Sequence, residues 1–115
     1  AGGIVAEYDQ DGWHITKYAN GYARCYKETS STFAVSAWSV WSGTSIWYAS
    51  VPPIDYPITF TEVPAETCTM MSGNFWGNSE GNTMSKSSRC SANRPSKPQT
   101  AIGYRIQYSV YGKYK

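Results

Sequence analysis

The last fifteen residues, AIGYRIQYSVYGKYK, constrain the fold of this chain more than any other segment. Large apolar side chains alternate along it, at Ile102, Tyr104, Ile106, Tyr108, Val110 and Tyr114. The positions between them are mostly polar or charged: Arg105, Gln107, Ser109, Lys113 and Lys115. A period of two is typical of a strand with one covered face and one solvated face. The segment therefore predicts a long strand whose apolar face forms the centre of the core.

A second signal is the Asn20-Gly21 pair, which lies between two β-prone runs. Asn-Gly favours a type I′ turn, because both central residues need a positive φ. We therefore expect a hairpin over residues 12–28. A two-residue loop would place Lys17 opposite Arg24, which is unfavourable. Either the loop is longer, or a carboxylate lies between the two cations.

Further β-prone runs follow between turn-forming and proline-containing segments, and none has the 3.6-residue apolar period of a helix. They are STFAVSA at 31–37, TSIWYASV at 44–51, YPITFTEV at 56–63, CTMMSGNFW at 68–76 and TMSKSSRCSA at 83–92. The sequence predicts an all-β fold of seven or eight strands, arranged as an antiparallel β-sandwich or jelly roll. At 115 residues, we expect residues 1–115 to form a single domain.

Three cysteines, Cys25, Cys68 and Cys90, are widely spaced and form no CxxC motif. This pattern favours reduced, buried thiols over a disulfide framework or a zinc site. No apolar run approaches the roughly 18 residues that a membrane span requires, so we expect no membrane insertion. The chain begins with neither a Met nor a signal-like segment, and we expect it to be part of a longer protein.

Catalytic motifs are weak in this sequence. His14 is the single histidine, and although a hairpin brings it near Cys25, no third orienting group is evident. An EF-hand loop starting at Asp9 would need Gly at position 14 and Glu at position 20, where His14 and Asn20 stand. No two carboxylates can be placed at a glycosidase separation from sequence alone. We predict no catalytic residues, no metal and no enzyme activity.

Cofactor and nucleic-acid signatures are missing from the sequence as well. Gly73, Gly77 and Gly81 lie in a Ser/Asn-rich turn, outside the strand-to-helix context of a phosphate-binding loop. No nucleic-acid-binding motif accompanies the basic residues. We therefore predict no cofactor and no nucleic-acid partner.

The stretch AWSVWSGTSIWYAS at 37–50 concentrates aromatic rings among small hydroxyl residues and carries no charge. Two tryptophans three residues apart cannot both point inward from a regular strand, and exposed rings beside Ser, Thr and Gly suit adaptable recognition. Core, subunit interface and ligand platform remain the alternatives for these rings. The candidate ligand contacts are Trp38, Trp41, Trp47 and Tyr48.

Charge is distributed unevenly along the chain. Residues 1–80 contain all eight acids and three bases, whereas residues 81–115 contain seven bases and no acid. Either folding or a neighbouring subunit brings these bases beside the earlier acids, or they form a face that attracts an anionic glycan. Under the second alternative, Arg89, Arg94 and Lys97 around the NRPSKP loop are further candidate ligand contacts.

The hairpin segment GWHITKYANGYARCY resembles a pattern in C-terminal receptor-binding (head) domains of tail-fibre and baseplate minor structural proteins, from phages and prophages of Gram-positive bacteria. The residues that carry this resemblance are Trp13, Lys17, Tyr18, Gly21, Ala23 and Cys25. Later segments resemble further landmarks of those domains in the same order: SAWSVW, WYASV, YPITFTEVP, GNFWG, NRP and YSVYGKYK. The chain departs from the pattern at Tyr18 and Tyr26, where Trp is frequent, and at Arg24, where an acid is common.

The resemblance implies a β-sandwich head that assembles as a homotrimer and binds a host cell-surface polysaccharide. It also implies a place at the tail tip of the virion, after assembly in the bacterial cytoplasm. A carbohydrate-binding module of a secreted bacterial enzyme would show the same aromatic load and is the main alternative. The segment RCSANRP and the following AIGYRI also resemble the end of C-type-lectin-like domains. A cell-wall hydrolase is a further alternative.

Overall fold

A computed structural model describes residues 3–71 and 75–115, and in this part of the chain nine strands form two antiparallel sheets. The strands are β1 (Ile4–Gln10), β2 (Trp13–Tyr18), β3 (Tyr22–Phe33), β4 (Ser39–Val40), β5 (Trp47–Val51), β6 (Ala65–Met71), β7 (Trp76–Ser79), β8 (Cys90–Arg94) and β9 (Ile102–Lys113). The five-stranded sheet has the order β1-β2-β3-β9-β6, and the four-stranded sheet has the order β4-β5-β8-β7. The predicted all-β sandwich class is confirmed.

Strand β9 lies inside the five-stranded sheet, between β3 and β6, and its alternation is as predicted. Ile106, Tyr108 and Val110 are fully buried, and Ile102 is nearly so. These side chains pack between the two sheets, where they form a cluster with residues such as Trp13, Ile15, Cys25 and Cys90. Burial of this face therefore places β9 at the centre of the sandwich.

A second cluster fills the other end of the space between the sheets. Phe33 and Ile102 contribute from the five-stranded sheet, and Ala49 and Ala92 contribute from the four-stranded sheet. Trp38 lies between them, with its ring 5.5 Å from that of Phe33 in an edge-to-face arrangement. Small alanines on one side leave room for large rings on the other, as close packing requires.

The β2–β3 hairpin forms, but its turn differs from the predicted type I′ turn. Lys17 pairs with Ala23, so the loop is Ala19–Gly21 and has three residues. Only Gly21 in this loop has a positive φ, of +87°. This is the three-residue hairpin in which the last loop residue is left-handed. The longer loop moves Lys17 away from Arg24, which now pairs with Thr16.

Strand β1 was not among the predicted strands, and it forms a second hairpin with β2. Gln10 pairs with Trp13 across a two-residue turn, Asp11-Gly12, whose φ angles are +53° and +83°. Two positive φ angles are what a type I′ turn requires, and Asp-Gly is one of its preferred pairs. The type I′ turn therefore lies at Asp11-Gly12, one hairpin earlier than the sequence analysis placed it.

The predicted strand YPITFTEV is wrong, because residues 56–63 form no regular strand. Tyr56 N–H donates to the Ser85 carbonyl at 2.8 Å, and Phe60 N–H donates to the Met84 carbonyl at 3.0 Å. Both rings still reach the core. Pro57 lies within the segment and lacks the N–H group that a continuous ladder needs. Pro52, Pro53 and Pro64 flank the segment.

The remaining predicted strands are correct in part. The run at 31–37 ends β3 at Phe33 and then forms one 3₁₀ turn, Val35–Ala37. The run at 44–51 contains β5, and of the run at 83–92 only the last residues belong to β8. The run at 68–76 includes residues 72–74, which lie outside the described residues. Of the rest of this run, residues 68–71 end β6 and Trp76 begins β7.

The three cysteines are free thiols. Cys25 and Cys90 are buried and Cys68 is half-buried, which agrees with the predicted small hydrophobic role. Burial raises the pKa of the Cys25 thiol to about 11. The Cys68 thiol hydrogen-bonds Cys90, and this contact together with burial raises its pKa. The Cys25 and Cys68 thiols therefore stay protonated near neutral pH, whereas the same hydrogen bond with Cys68 lowers the pKa of Cys90.

Paired substitutions on β9 test which of its faces is the core. Ile106→Ala should lower the free energy of unfolding by about 2 to 5 kcal/mol, because it leaves a cavity at a fully buried site. Gln107→Ala, on the opposite face, removes one exposed hydrogen bond to Glu28 and should cost about 0.5 kcal/mol. Chemical denaturation measures both values. Equal losses for the two variants would contradict the assigned face.

Candidate functional site

The outer face of the four-stranded sheet carries polar and aromatic side chains. In β5 and β8, Ala49 and Ala92 point into the core, so their neighbours Tyr48, Ser50 and Ser91 point the other way. Asn78 of β7 pairs with Ser91, and Ser91 pairs with Ser50. Three strands therefore bring short polar groups into one row across this sheet.

A groove of about 630 Å³ lies on this outer face. We call it the sheet groove. Its lining residues come from four neighbouring strands and their ends: Trp41, Tyr48, Ser50, Asn78, Glu80, Arg89 and Ser91. The volume falls within the range of small-molecule binding sites. The groove combines two aromatic rings with one acid, one base and several neutral hydrogen-bonding groups.

One wall of the sheet groove is aromatic. The ring centroids of Trp41 and Tyr48 are 5.8 Å apart, with an interplanar angle of 42°. Trp41 is 45% exposed. Its backbone is held by hydrogen bonds, because its N–H donates to the Ile46 carbonyl and its own carbonyl accepts from the backbone N–H and the hydroxyl of Thr44. The hairpin between β4 and β5 thus presents an open indole face in a fixed position.

The opposite wall is an ion pair. The Arg89 Nε atom lies 3.7 Å from the Glu80 carboxylate, and both side chains are more than half exposed. A backbone hydrogen bond of 3.0 Å from the Glu80 N–H to the Arg89 carbonyl continues the β7–β8 ladder beyond the strand ends. The two charges are therefore placed together by the ladder, and they offset each other within the groove.

A buried amide beneath the groove holds one of its lining residues, Asn78. Asn93 is almost fully buried, and its Nδ2 group donates to the Asn78 Oδ1 atom at 2.8 Å and to the Trp76 carbonyl. This bond orients the Asn78 amide, whose nitrogen can donate to a ligand and whose oxygen keeps a second lone pair. Ser50 and Ser91 lie beside it, with their hydroxyl oxygens 3.5 Å apart.

The structure brings three of the predicted ligand contacts together in the sheet groove: Trp41, Tyr48 and Arg89. Trp38 is not among them. It is only 4% exposed and packs against Phe33 and Phe75 in the core. We therefore remove Trp38 from the candidate contacts. The two tryptophans of AWSVW do point to different sides, as their spacing predicts: Trp38 is inside and Trp41 is outside.

The other three candidates, Trp47, Arg94 and Lys97, form a separate group that we call the basic corner. Arg94 pairs with Trp47 at the end of the β5–β8 ladder, and its Nε donates to the Ser96 carbonyl at 3.3 Å. The Lys97 ammonium lies 5.6 Å from the centroid of the Trp47 ring, a cation–π distance. Trp47 alternates with Tyr48 along β5, so the basic corner does not line the groove.

Folding pairs part of the basic last third with earlier acids. Lys86 contacts Asp55 at 2.6 Å, Arg89 contacts Glu80 and Arg105 contacts Glu28, each of the last two at 3.7 Å. Among the described residues, three of the seven bases of the last third are thus paired with acids from earlier in the chain, as the first alternative for the charge distribution predicts.

His14 has no geometry for nucleophilic catalysis with Cys25. It pairs with Tyr26, whereas its neighbour Ile15 pairs with Cys25, so the imidazole and the thiol point to opposite faces of the sheet. The imidazole instead contacts Asp9 at 2.7 Å and Glu7 at 3.3 Å on the surface. Hydrogen bonds that the imidazole donates to Asp9 and Glu7 raise the pKa of His14 above its ordinary value of 6.5.

Other chemistries find little support in the geometry. Glu80 is the one carboxylate among the residues that line the sheet groove, whereas glycoside hydrolysis usually needs two facing carboxylates.

Within residues 3–71 and 75–115, no group of three or more His, Cys, Asp or Glu side chains could hold a metal ion. In the same ranges, no helix is long and apolar enough to cross a membrane.

Four residues of the groove were not predicted from the sequence: Ser50, Asn78, Glu80 and Ser91. They come from three separate strands and a turn, and only the strand pairing brings them together. Comparison with known proteins adds nothing to this site, since no protein-family model, no curated protein and no solved structure matches the chain.

Proposed function

We propose that this chain is a receptor-binding domain of a phage tail fibre or baseplate protein, which attaches the virion to a host cell-surface polysaccharide. The observation that carries the binding part of this proposal is the sheet groove. An open indole face at Trp41 stands beside Tyr48 and opposite neutral and charged hydrogen-bonding groups. A sugar ring has surfaces that match both parts of the groove. Its C–H face can stack on the indole, and the hydroxyls around its edge can hydrogen-bond the polar groups.

Several features of the groove fit a saccharide better than an apolar ligand. Ser50, Ser91 and Asn78 supply neutral hydrogen-bonding groups. The backbone of Trp41 is held by the hairpin, so the loop itself need not become ordered when a ligand stacks on the ring. The sequence resemblance supplies the phage context and the homotrimeric assembly.

Exposed apolar side chains support an oligomeric head. Ile4, Val5 and Val63 are each more than half exposed in the single chain. Apolar surface of this kind is often covered when symmetry-related copies assemble. A carbohydrate-binding module of a secreted enzyme is the second candidate, since the same groove serves a monomeric module equally well.

The first test compares two exposed tryptophans of the four-stranded sheet. On a glycan array of bacterial surface polysaccharides, Trp41→Ala should weaken binding by at least about tenfold, or about 1.4 kcal/mol. Trp76→Ala is the matched control, because Trp76 is 52% exposed and does not line the groove. Both variants should unfold within about 1 kcal/mol of the parent chain. Equal binding by the two variants would contradict a role for the sheet groove.

The second test measures the assembly state. Light scattering of the 115-residue chain should give three times the mass of one 12.8 kDa chain. That mass should persist on dilution, because an obligate interface is large and apolar. A stable 12.8 kDa monomer at high concentration would contradict the trimeric head and favour the carbohydrate-binding module.

A further inference from the structure

The charge balance of the sheet groove bears on which saccharides it can accept. Its lining has one acid, Glu80, and one base, Arg89, in contact with each other at 3.7 Å. The other lining groups are uncharged. The groove as a whole therefore carries no net charge, although Arg89 belongs to the basic last third of the chain.

An anionic polymer would meet an obstacle in this groove. Any phosphate or carboxylate that binds Arg89 faces the Glu80 carboxylate at short range, because the two side chains are 3.7 Å apart. Both side chains are more than half exposed, so solvent reduces this repulsion, but its sign still favours an uncharged ligand. A neutral sugar avoids the repulsion, because one hydroxyl can donate to Glu80 while a neighbouring hydroxyl accepts from Arg89.

The basic corner does not supply the missing positive charge. Arg89 and Arg94 are five positions apart along β8 and its preceding residue, a distance of about 16 Å at the strand rise. Lys97 is held over the Trp47 ring instead of facing the groove. At that separation, exposed charges are largely screened at physiological salt.

We infer that the sheet groove selects an uncharged saccharide unit, whose ring stacks on Trp41 and whose adjacent hydroxyls bind the Glu80–Arg89 pair. This inference rests on the proposed saccharide-binding function and narrows its ligand class. Phosphate-bearing wall polymers should bind this groove more weakly than neutral glycans do. Glu80 is then a specificity-determining residue, because its carboxylate both accepts from a neutral sugar and repels an anionic one.

The test uses Glu80→Gln, because the two ligand classes predict opposite signs for it. The substitution removes the negative charge and leaves Arg89 without its partner. Uncharged gluco-, galacto- and manno-oligosaccharides, together with larger neutral bacterial polysaccharides, are compared with poly(glycerol phosphate) by calorimetry on the full chain. Binding of a neutral glycan should weaken about tenfold in Glu80→Gln, since a charge-assisted hydrogen bond is lost.

Glu28→Gln is the matched control. Glu28 forms an ion pair with Arg105 at the same 3.7 Å distance and lies on the five-stranded sheet, outside the groove. Glu28→Gln changes the net charge of the chain by the same amount as Glu80→Gln, so any general electrostatic effect should appear in both variants. The neutral-glycan affinity should be unchanged in Glu28→Gln, and in the parent chain it should vary less than about twofold between low and high salt.

The possible results separate this inference from the function on which it rests. Binding of poly(glycerol phosphate) that weakens with salt and strengthens in Glu80→Gln would overturn the neutral-ligand inference and leave saccharide-polymer attachment intact. Neutral-glycan binding that is unchanged in Glu80→Gln would also overturn it. Failure of every neutral and anionic polymer to bind would overturn the proposed function, and the inference with it.

Discussion

Burial of the apolar face of β9 is the interaction on which the rest of the structure depends. The strand pairs with β3 along its whole length and with β6 on its other side, and Ile106, Tyr108 and Val110 are fully buried. Each such side chain contributes about 1.5 to 3 kcal/mol, against a total stability of about 5 to 15 kcal/mol for a domain. The face of β9 thus determines which side of the five-stranded sheet the four-stranded sheet must cover.

The sheet groove is a consequence of that core. Ala49, Ala92 and Cys90 turn inward to meet the large side chains of the five-stranded sheet. Since side chains alternate along a strand, this fixes Tyr48, Ser50 and Ser91 on the outer face. A slip of one residue would exchange the two sets and destroy both core and groove. The candidate function is therefore tied to the packing register of β5 and β8.

Sequence reasoning succeeded where the signal is local. The alternation of β9 predicted its buried face, and the spacing of Trp38 and Trp41 predicted that they would diverge. The spacing could not say which ring was inside, because that depends on Phe33 and Phe75, distant in sequence. Glu80 and Asn78 belong to the site because the pairing of β7 with β8 places them there, and strand pairing is also a non-local contact. Strand β1 was a missed local signal, since Asp11-Gly12 is as good a hairpin turn as Asn20-Gly21.

The most direct test of the account is to observe the Trp41 ring while a glycan binds. The chain has five tryptophans, and each indole N–H gives its own signal in a nitrogen-resolved NMR spectrum. On titration with a polysaccharide that the chain binds, the Trp41 signal should shift progressively and saturably, while the signals of buried Trp13 and Trp38 should stay in place. Saturated binding with an unmoved Trp41 signal would contradict the assignment of the sheet groove as the saccharide site.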